Sequence, residues 1–172
     1  MRFTMISFTL VLLTTSCAHV ETNGAAVEGA LLDSPMVDNV YLAGQPTASE
    51  LRKAAAGGIR TIINLRLASE LEFDEAAEAD ALGVRYHNPG FKGGENLTDS
   101  IFDEVRSLLR SSQRPILFHC SSGNRVGAVW ATYRVLDEGW DIDRAIDEAK
   151  QIGLRTPAYE ARAREYVAQH QH

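Results

Sequence analysis

One thiol stands in a setting suited to nucleophilic chemistry. In "ILFHCSSGNRVGAVWA" (Ile116 to Ala131), Cys120 follows a short apolar run, and Gly123 and Arg125 follow it closely before an apolar helical pattern begins. A cysteine attacks as its thiolate, which is stabilised where backbone N–H groups converge at a helix N-terminus. Gly123 permits a backbone conformation that other residues resist. Arg125, if it folds back over the turn, offers a planar fork of donors to a tetrahedral oxyanion. Together these are the parts of a two-step transfer: Cys120 forms a covalent thio-intermediate while loop amides and Arg125 hold the charge that develops on the transferred group. Ser121, Ser122, Gly123 and Asn124 complete the expected anion cradle, with the serines alternatively being no more than small loop residues. His119 is read as an orienting hydrogen-bond partner and not a base, because strand alternation turns its side chain away from Cys120. The plain alternative for Cys120 is a buried small hydrophobe.

The elements around the loop follow from hydrophobic period. "PILF" (Pro115 to Phe118) has the length of a buried parallel strand, and Val126, Val129, Trp130, Tyr133 and Val135 fall at helical spacing, so "HCSSGNR" is a strand-to-helix turn. Upstream, the pattern predicts a strand over Asn39–Ala43, a helix over Ala48–Ala56 ending at Gly57–Gly58, a strand "TIINL" and an acidic helix over Ser69–Ala81. Next come a strand "VRYHN" and a helix over Thr98–Arg110 with Ile101, Val105, Leu108 and Leu109 on one face. Two further helices follow the nucleophile helix, in "DIDRAIDEAKQIG" and "PAYEARAREYVAQ". This alternation predicts an α/β domain with a parallel-type central sheet flanked by helices on both faces. Ligands of such sheets bind beyond the carboxyl ends of the strands, a rule that adds Arg66 and Gln45 as candidate anion contacts. Their alternatives are a surface arginine paired with Glu70 at helical spacing and a turn residue before Pro46. The run "ELEFDEAAEAD" is read as a solvated helix face, and no metal or cofactor is assigned.

Length and charge bound the function. A chain of 172 residues with a formal charge of -6 fits one domain and lacks the basic face that a phosphate backbone requires, which argues against nucleic acid. Met1-Arg2 followed by "FTMISFTLVLLTT" reads as a signal segment over residues 1–17, too short for a comfortable membrane span. It ends in "LLTTSCA", where Ser16 before Cys17 resembles a bacterial lipobox, although Thr14 stands where leucine is preferred. Lipidation of Cys17, or plain cleavage nearby, exports the protein to a bacterial periplasm, with a lipid anchor as its membrane contact. Residues 18–31 are then a linker and 32–172 the domain. Of the two cysteines, Cys120 is left with no disulfide partner in an exported protein. Oligomeric state is left open.

Taken in order, "VYLAGQPT" (Val40 to Thr47), "GIRTIINLR" (Gly58 to Arg66), Glu70, "LGVRYHN" (Leu82 to Asn88) and "HCSSGNRVGA" (His119 to Ala128) resemble the protein tyrosine phosphatase superfamily. The likeness is to a compact dual-specificity-like bacterial family that includes the phosphatase-like domain of beta-lactamase-hydrolase-like proteins and domains fused to NAD kinase. The resemblance runs from about Leu32 to Leu154. It implies a tyrosine-phosphatase-like fold, hydrolysis of a phosphorylated protein or small phosphoester through a phosphocysteine, and no cofactor. This chain departs from the superfamily in its Cys-x4-Arg loop, where the superfamily has Cys-x5-Arg. The shorter loop is similar to that of rhodanese-type sulfurtransferases, which leaves a persulfide carrier fed by a sulfane sulfur donor as the alternative. A non-catalytic anion-binding module is the third reading. Val126 replaces the hydroxyl residue that usually follows the arginine. The general-acid aspartate implied by the resemblance has no match in "HNPGFKGGENLTDS"; Glu95, in a Gly-rich loop, and Asp99, in the first turn of the next helix behind Thr98, are the candidates.

Overall fold

The computed structural model describes residues 34–171; the signal segment with Cys17 and the linker over 18–31 lie outside them. One five-stranded sheet organises the chain. Its strands are β1 (Met36–Val37), β2 (Val40–Ala43), β3 (Thr61–Asn64), β4 (Arg85–His87) and β5 (Ile116–His119), in the order β1-β2-β5-β3-β4. β2, β5, β3 and β4 run parallel, and β1 is an antiparallel edge strand on β2. Helices α1 (Ala48–Ala56) and α2 (Glu75–Ala81) connect β2 to β3 and β3 to β4. Helix α3 (Asp99–Ser111) then carries the chain back, so that β5 enters between β2 and β3. Because parallel crossovers are right-handed, that reversal of direction places α3 on the face opposite α1 and α2. Helices α4 (Asn124–Leu136), α5 (Ile142–Ile152) and α6 (Pro157–His170) complete the second face.

Strand alternation divides the core accordingly. Tyr41, Ala43, Ile62 and Leu117 pack with Leu51, Ala54 and Ala79 of the first helix layer. Val40, Leu42, Ile63, Ile116 and Phe118 pack with Phe102, Val105, Leu109, Trp130 and Tyr166 of the second. Helix α1 begins where the sequence pattern sets it, since Thr47 and Glu50 form a reciprocal capping box. Helix α4 is buried on all sides from Arg125 to Val135, as a helix covered by the sheet and by three other helices must be. Its one deep cation besides Arg125, Arg134, is held by Glu138 and Glu148 and lies over the Trp130 and Trp140 rings.

Two expectations about the elements need correction. The strand foreseen from Asn39 is half of a hairpin: Asp38 and Asn39 both take positive φ (48° and 60°) and turn β1 onto β2 with Val37 facing Val40. A two-residue turn of this kind needs positive φ at both positions, which aspartate and asparagine tolerate. The acidic helix foreseen over Ser69–Ala81 is broken. Ala68–Glu70 forms a single 3-10 turn, and α2 starts only at Glu75, because the Asp74 side chain caps it by accepting the Ala77 N–H.

β5 is the strand on which the rest of the sheet and the Cys120 turn depend, and its Phe118 is fully buried in the second face. Replacing Phe118 by alanine should therefore lower stability by about 3–5 kcal/mol, measured as a fall in the urea midpoint at unchanged slope.

Candidate active site

The loop from Cys120 to Asn124 leaves the carboxyl end of the central strand and is fixed on both sides by backbone bonds. Cys120 N–H donates to Ala43 O (3.3 Å) and Gln45 N–H to Ser121 O (3.2 Å), while on the other flank Leu65 N–H donates to His119 O (3.0 Å). Gly123, at φ 77°, ends the turn and starts α4. A Cβ there would collide with the Ile152 carbonyl oxygen, so both dihedral and space require glycine. Cys120 is 1% exposed; the loop and not bulk water surrounds it.

Arg125 is 7% exposed and draws its partners from three segments. Its Nη1 donates to Leu65 O (2.9 Å) at the end of β3 and to Phe91 O (2.7 Å) in the β4–α3 loop. Nη1 and Nη2 together grip the two Glu70 oxygens (2.8 and 3.1 Å). Phe91 reaches this place because Gly90 lies against the Arg66 carbonyl, where a Cβ would clash. Burial works to lower the Arg125 pKa, but the bond to Glu70 and the charge at Cys120 outweigh it, and the net shift is upward. The end-on edge of the guanidinium is therefore taken by Glu70, which leaves the planar fork expected for an oxyanion to the other edge. The parallel Nε–H and remaining Nη2–H form no hydrogen bond among the described residues; this side edge is the one open to an anion.

The expectation that Glu70 pairs with Arg66 also changes. Arg66 instead donates Nη1 to Gln45 Oε1 (2.7 Å) and Nη2 to the backbone carbonyl of Glu70, because the Glu70 carboxylate has turned to Arg125. Arg66 Nε is buried without a partner among the described residues. Gln45 passes the connection on, donating Nε2 to Glu75 Oε2 (3.0 Å). Glu75 belongs to the acidic run read as solvated, yet it is fully buried. Its Oε1 meets His119 Nε2 at 2.6 Å, and Asn64 Nδ2 donates to its Oε2 at 3.3 Å. Burial alone would raise the Glu75 pKa, but His119, Gln45 and Arg66 hold it below the ordinary carboxyl value. The orienting role foreseen for His119 thus has a named partner. A signal for Glu75 was present in the spacing, since Glu75, Ala79 and Leu82 share one helix face and both apolar residues pack inward.

Three candidates are placed elsewhere. Asn124, expected at the anion, is a brace: its Oδ1 accepts the backbone N–H of Arg155 (2.9 Å) and Thr156 (3.2 Å), and its Nδ2 donates to Thr156 Oγ1 (2.7 Å). Asp99 is paired with Arg162 of α6. Glu95 is exposed in a 3-10 turn, Gly94–Asn96, held against α6 through Gly93 and Tyr159. Neither acid bonds a residue of the loop. One cavity, of about 360 Å³, reaches the loop and is lined by Gln45, Pro46, Thr47, Arg66, Phe73 and Ser121 among others; another, of about 450 Å³, lies between α5 and α6 and includes Arg155 in its lining.

The Glu70–Arg125 pair sets a pH dependence. Its bond to Arg125 holds the Glu70 pKa at about 2, against an ordinary 4.5. A depressed folded-state pKa stabilises above the unfolded value and is lost as pH falls through the folded one. The stability difference between wild type and Glu70→Gln should be constant above pH 4.5 and should vanish as the pH falls to about 2, read from urea titrations across that range.

Comparison with known proteins agrees with this architecture. A beta-lactamase hydrolase-like protein of Xylella fastidiosa (strain Temecula1) is 24% identical over 138 residues, covering 70% of this chain and 32% of its own. The chain thus spans about a third of that relative. Among solved structures, a DUF442 protein of Shewanella putrefaciens CN-32 superposes with a TM-score of 0.69 at 16% identity, covering 84% of this chain and 99% of that one. TpbA of Pseudomonas aeruginosa in complex with pTyr gives 0.61 at 21%, covering 80% and 90%. These neighbours show the tyrosine-phosphatase-like fold. A family model described as the phosphatase-like domain of beta-lactamase hydrolase-like protein matches residues 35–136, more than half of the chain, and the chain belongs to that family.

Proposed function

We propose that the chain is a cysteine-dependent phosphatase of the tyrosine or dual-specificity type. The observation that carries this reading is Cys120 at the carboxyl end of the central strand, in the turn that opens α4, with the Arg125 guanidinium held by Glu70, Leu65 O and Phe91 O so that its side edge is free of bonds to the described residues. In the first step the Cys120 thiolate attacks phosphorus, an S–P bond forms, the bond to the leaving oxygen breaks, and that oxygen takes a proton. In the second, water cleaves the S–P bond and releases inorganic phosphate. Arg125 and the loop amides hold the equatorial oxygens, whose charge they favour by position alone.

The proton source is Glu72, the one carboxylate lining the cavity beside Ser121. Glu70 and Glu75 are engaged by Arg125 and His119, and Glu95 and Asp99 have no bond to the loop. Phe73 and Pro46 in the same cavity offer flat apolar contact to an aryl leaving group, and the pTyr complex of a neighbour with this fold supports a phosphotyrosine-type substrate. Val126 brings no hydroxyl to the second step, so turnover is slow. The signal-like N-terminus supports an exported, periplasmic enzyme, with Cys17 either lipidated or lost by plain cleavage, and a phosphorylated protein or small phosphoester is its partner.

Cys120→Ser should abolish release of phosphate from aryl phosphates, and acid-quenched wild type should carry a phosphate adduct on the Cys120 peptide. A cyanide-dischargeable persulfide after thiosulfate, without phosphate release, would overturn the reading in favour of sulfur transfer. Glu72→Gln should lower kcat/KM on phenyl phosphate about a hundredfold, the usual scale for a lost general acid, and less on 4-nitrophenyl phosphate, whose leaving group needs less protonation. An equal loss on both esters would remove Glu72 from that role.

A further inference from the structure

Beyond the segment matched by the family model, the turn between α5 and α6 touches the Cys120 loop directly. Arg155 in that turn donates Nη2 to Ser122 Oγ (2.5 Å) and Nη1 to Ser122 O (3.4 Å) and Gly153 O (3.1 Å). Its backbone is fixed independently, by the Asn124 side chain. Among the described residues its Nε–H and one Nη2–H have no acceptor and it has no carboxylate partner, unlike Arg125, Arg134, Arg162 and Arg164. Arg155 is exposed and stands at one end of the cavity of about 450 Å³ between α5 and α6. That cavity has an apolar lining of Leu154, Pro157 and Ala161 and cationic Lys150 and Arg164, which share Glu160.

We propose that Arg155 is a substrate-binding residue that receives an acidic side chain flanking the phosphorylated residue of a peptide substrate. Three features converge on this. The guanidinium keeps donors and an uncompensated charge, which an exposed carboxylate satisfies. It is bonded to Ser122 of the loop that holds the phosphoryl group, next to Ser121, which lines the cavity with Gln45 and Phe73, so residues flanking a phosphorylated side chain in that loop come within its reach. The groove beyond it combines apolar floor with charged rim, which suits a short peptide and not a compact metabolite. The peptide class rests on the phosphatase reading, whereas the anion contact at Arg155 does not.

The test uses Cys120→Ser protein, so that binding is measured without turnover, and two phosphotyrosyl peptides that differ only in glutamate or glutamine at the positions flanking the phosphotyrosine. By calorimetry at low salt the acidic peptide should bind about tenfold more tightly, a difference of about 1.4 kcal/mol. Arg155→Ala in this background should erase that preference, Arg155→Lys should keep part of it, and Ser122→Ala, which removes the hydroxyl bond but leaves the guanidinium, should retain it. Equal weakening of both peptides by Arg155→Ala would make Arg155 a loop brace only and overturn the proposal, as would a preference that survives Arg155→Ala. Absence of any preference in the parent protein would overturn it too. Wild-type turnover of phenyl phosphate reports separately on the phosphatase reading: a failure there with an intact Arg155-dependent preference rejects the chemistry and keeps the contact.

Discussion

A guanidinium taken out of water at the end of a five-residue turn is the constraint around which the site is built. Arg125 is nearly inaccessible, and burying a cation is costly unless its charge is paired and hydrogen-bonded. Leu65 O, Phe91 O and the Glu70 carboxylate meet that demand. Each comes from a different segment, so the ends of β3 and β4 and the 3-10 turn all have to arrive together. The same demand decides which edge of the arginine remains for a ligand.

From Glu70 the polar contacts continue around the loop. Arg66 holds the Glu70 backbone and Gln45, Gln45 holds Glu75, and Glu75 holds His119, the residue before the nucleophile. The chain of bonds therefore starts at one end of the active turn and finishes at the other. In a low-dielectric interior such linked bonds reinforce one another when each member is satisfied. Arg66 Nε and His119 Nδ1 stand outside that satisfaction, both buried without a partner among the described residues.

The architecture was legible because its signals are local and periodic. The Gly57–Gly58 stop of α1, the apolar run of β5 and the amphipathic stripe of α3 each mark their element without reference to the rest. The turn around Cys120, with Gly123 and Arg125, was legible for the same reason. What the sequence concealed depends on contacts between distant segments. Glu75 looks like one more acid in a charged run until His119 and Gln45 come to face it. Glu70 stands at helical spacing from Arg66, but the acceptor demand of Arg125, from far along the chain, claims its carboxylate. Asn124 sits among anion-binding candidates, yet the α5–α6 turn, whose position no local pattern encodes, draws its side chain away. Backbone acceptors such as Phe91 O carry no side-chain signature at all.

The contact between Gly123 and the turn at Ile152 and Gly153 has a bearing on how transferable the site is. A Cβ on Gly123 would strike Ile152 O, and one on Gly153 would strike Ser122 O, so two strands of main chain are in touch with no side chain between them. Shape is transmitted across such a junction without any compliant group to absorb a misfit. The nucleophile turn is for that reason not a portable cassette: grafted onto another parallel sheet with its flanking strand and helix alone, it would lose the wall that moulds it, and a graft that preserves its curvature has to carry the last two helices as well.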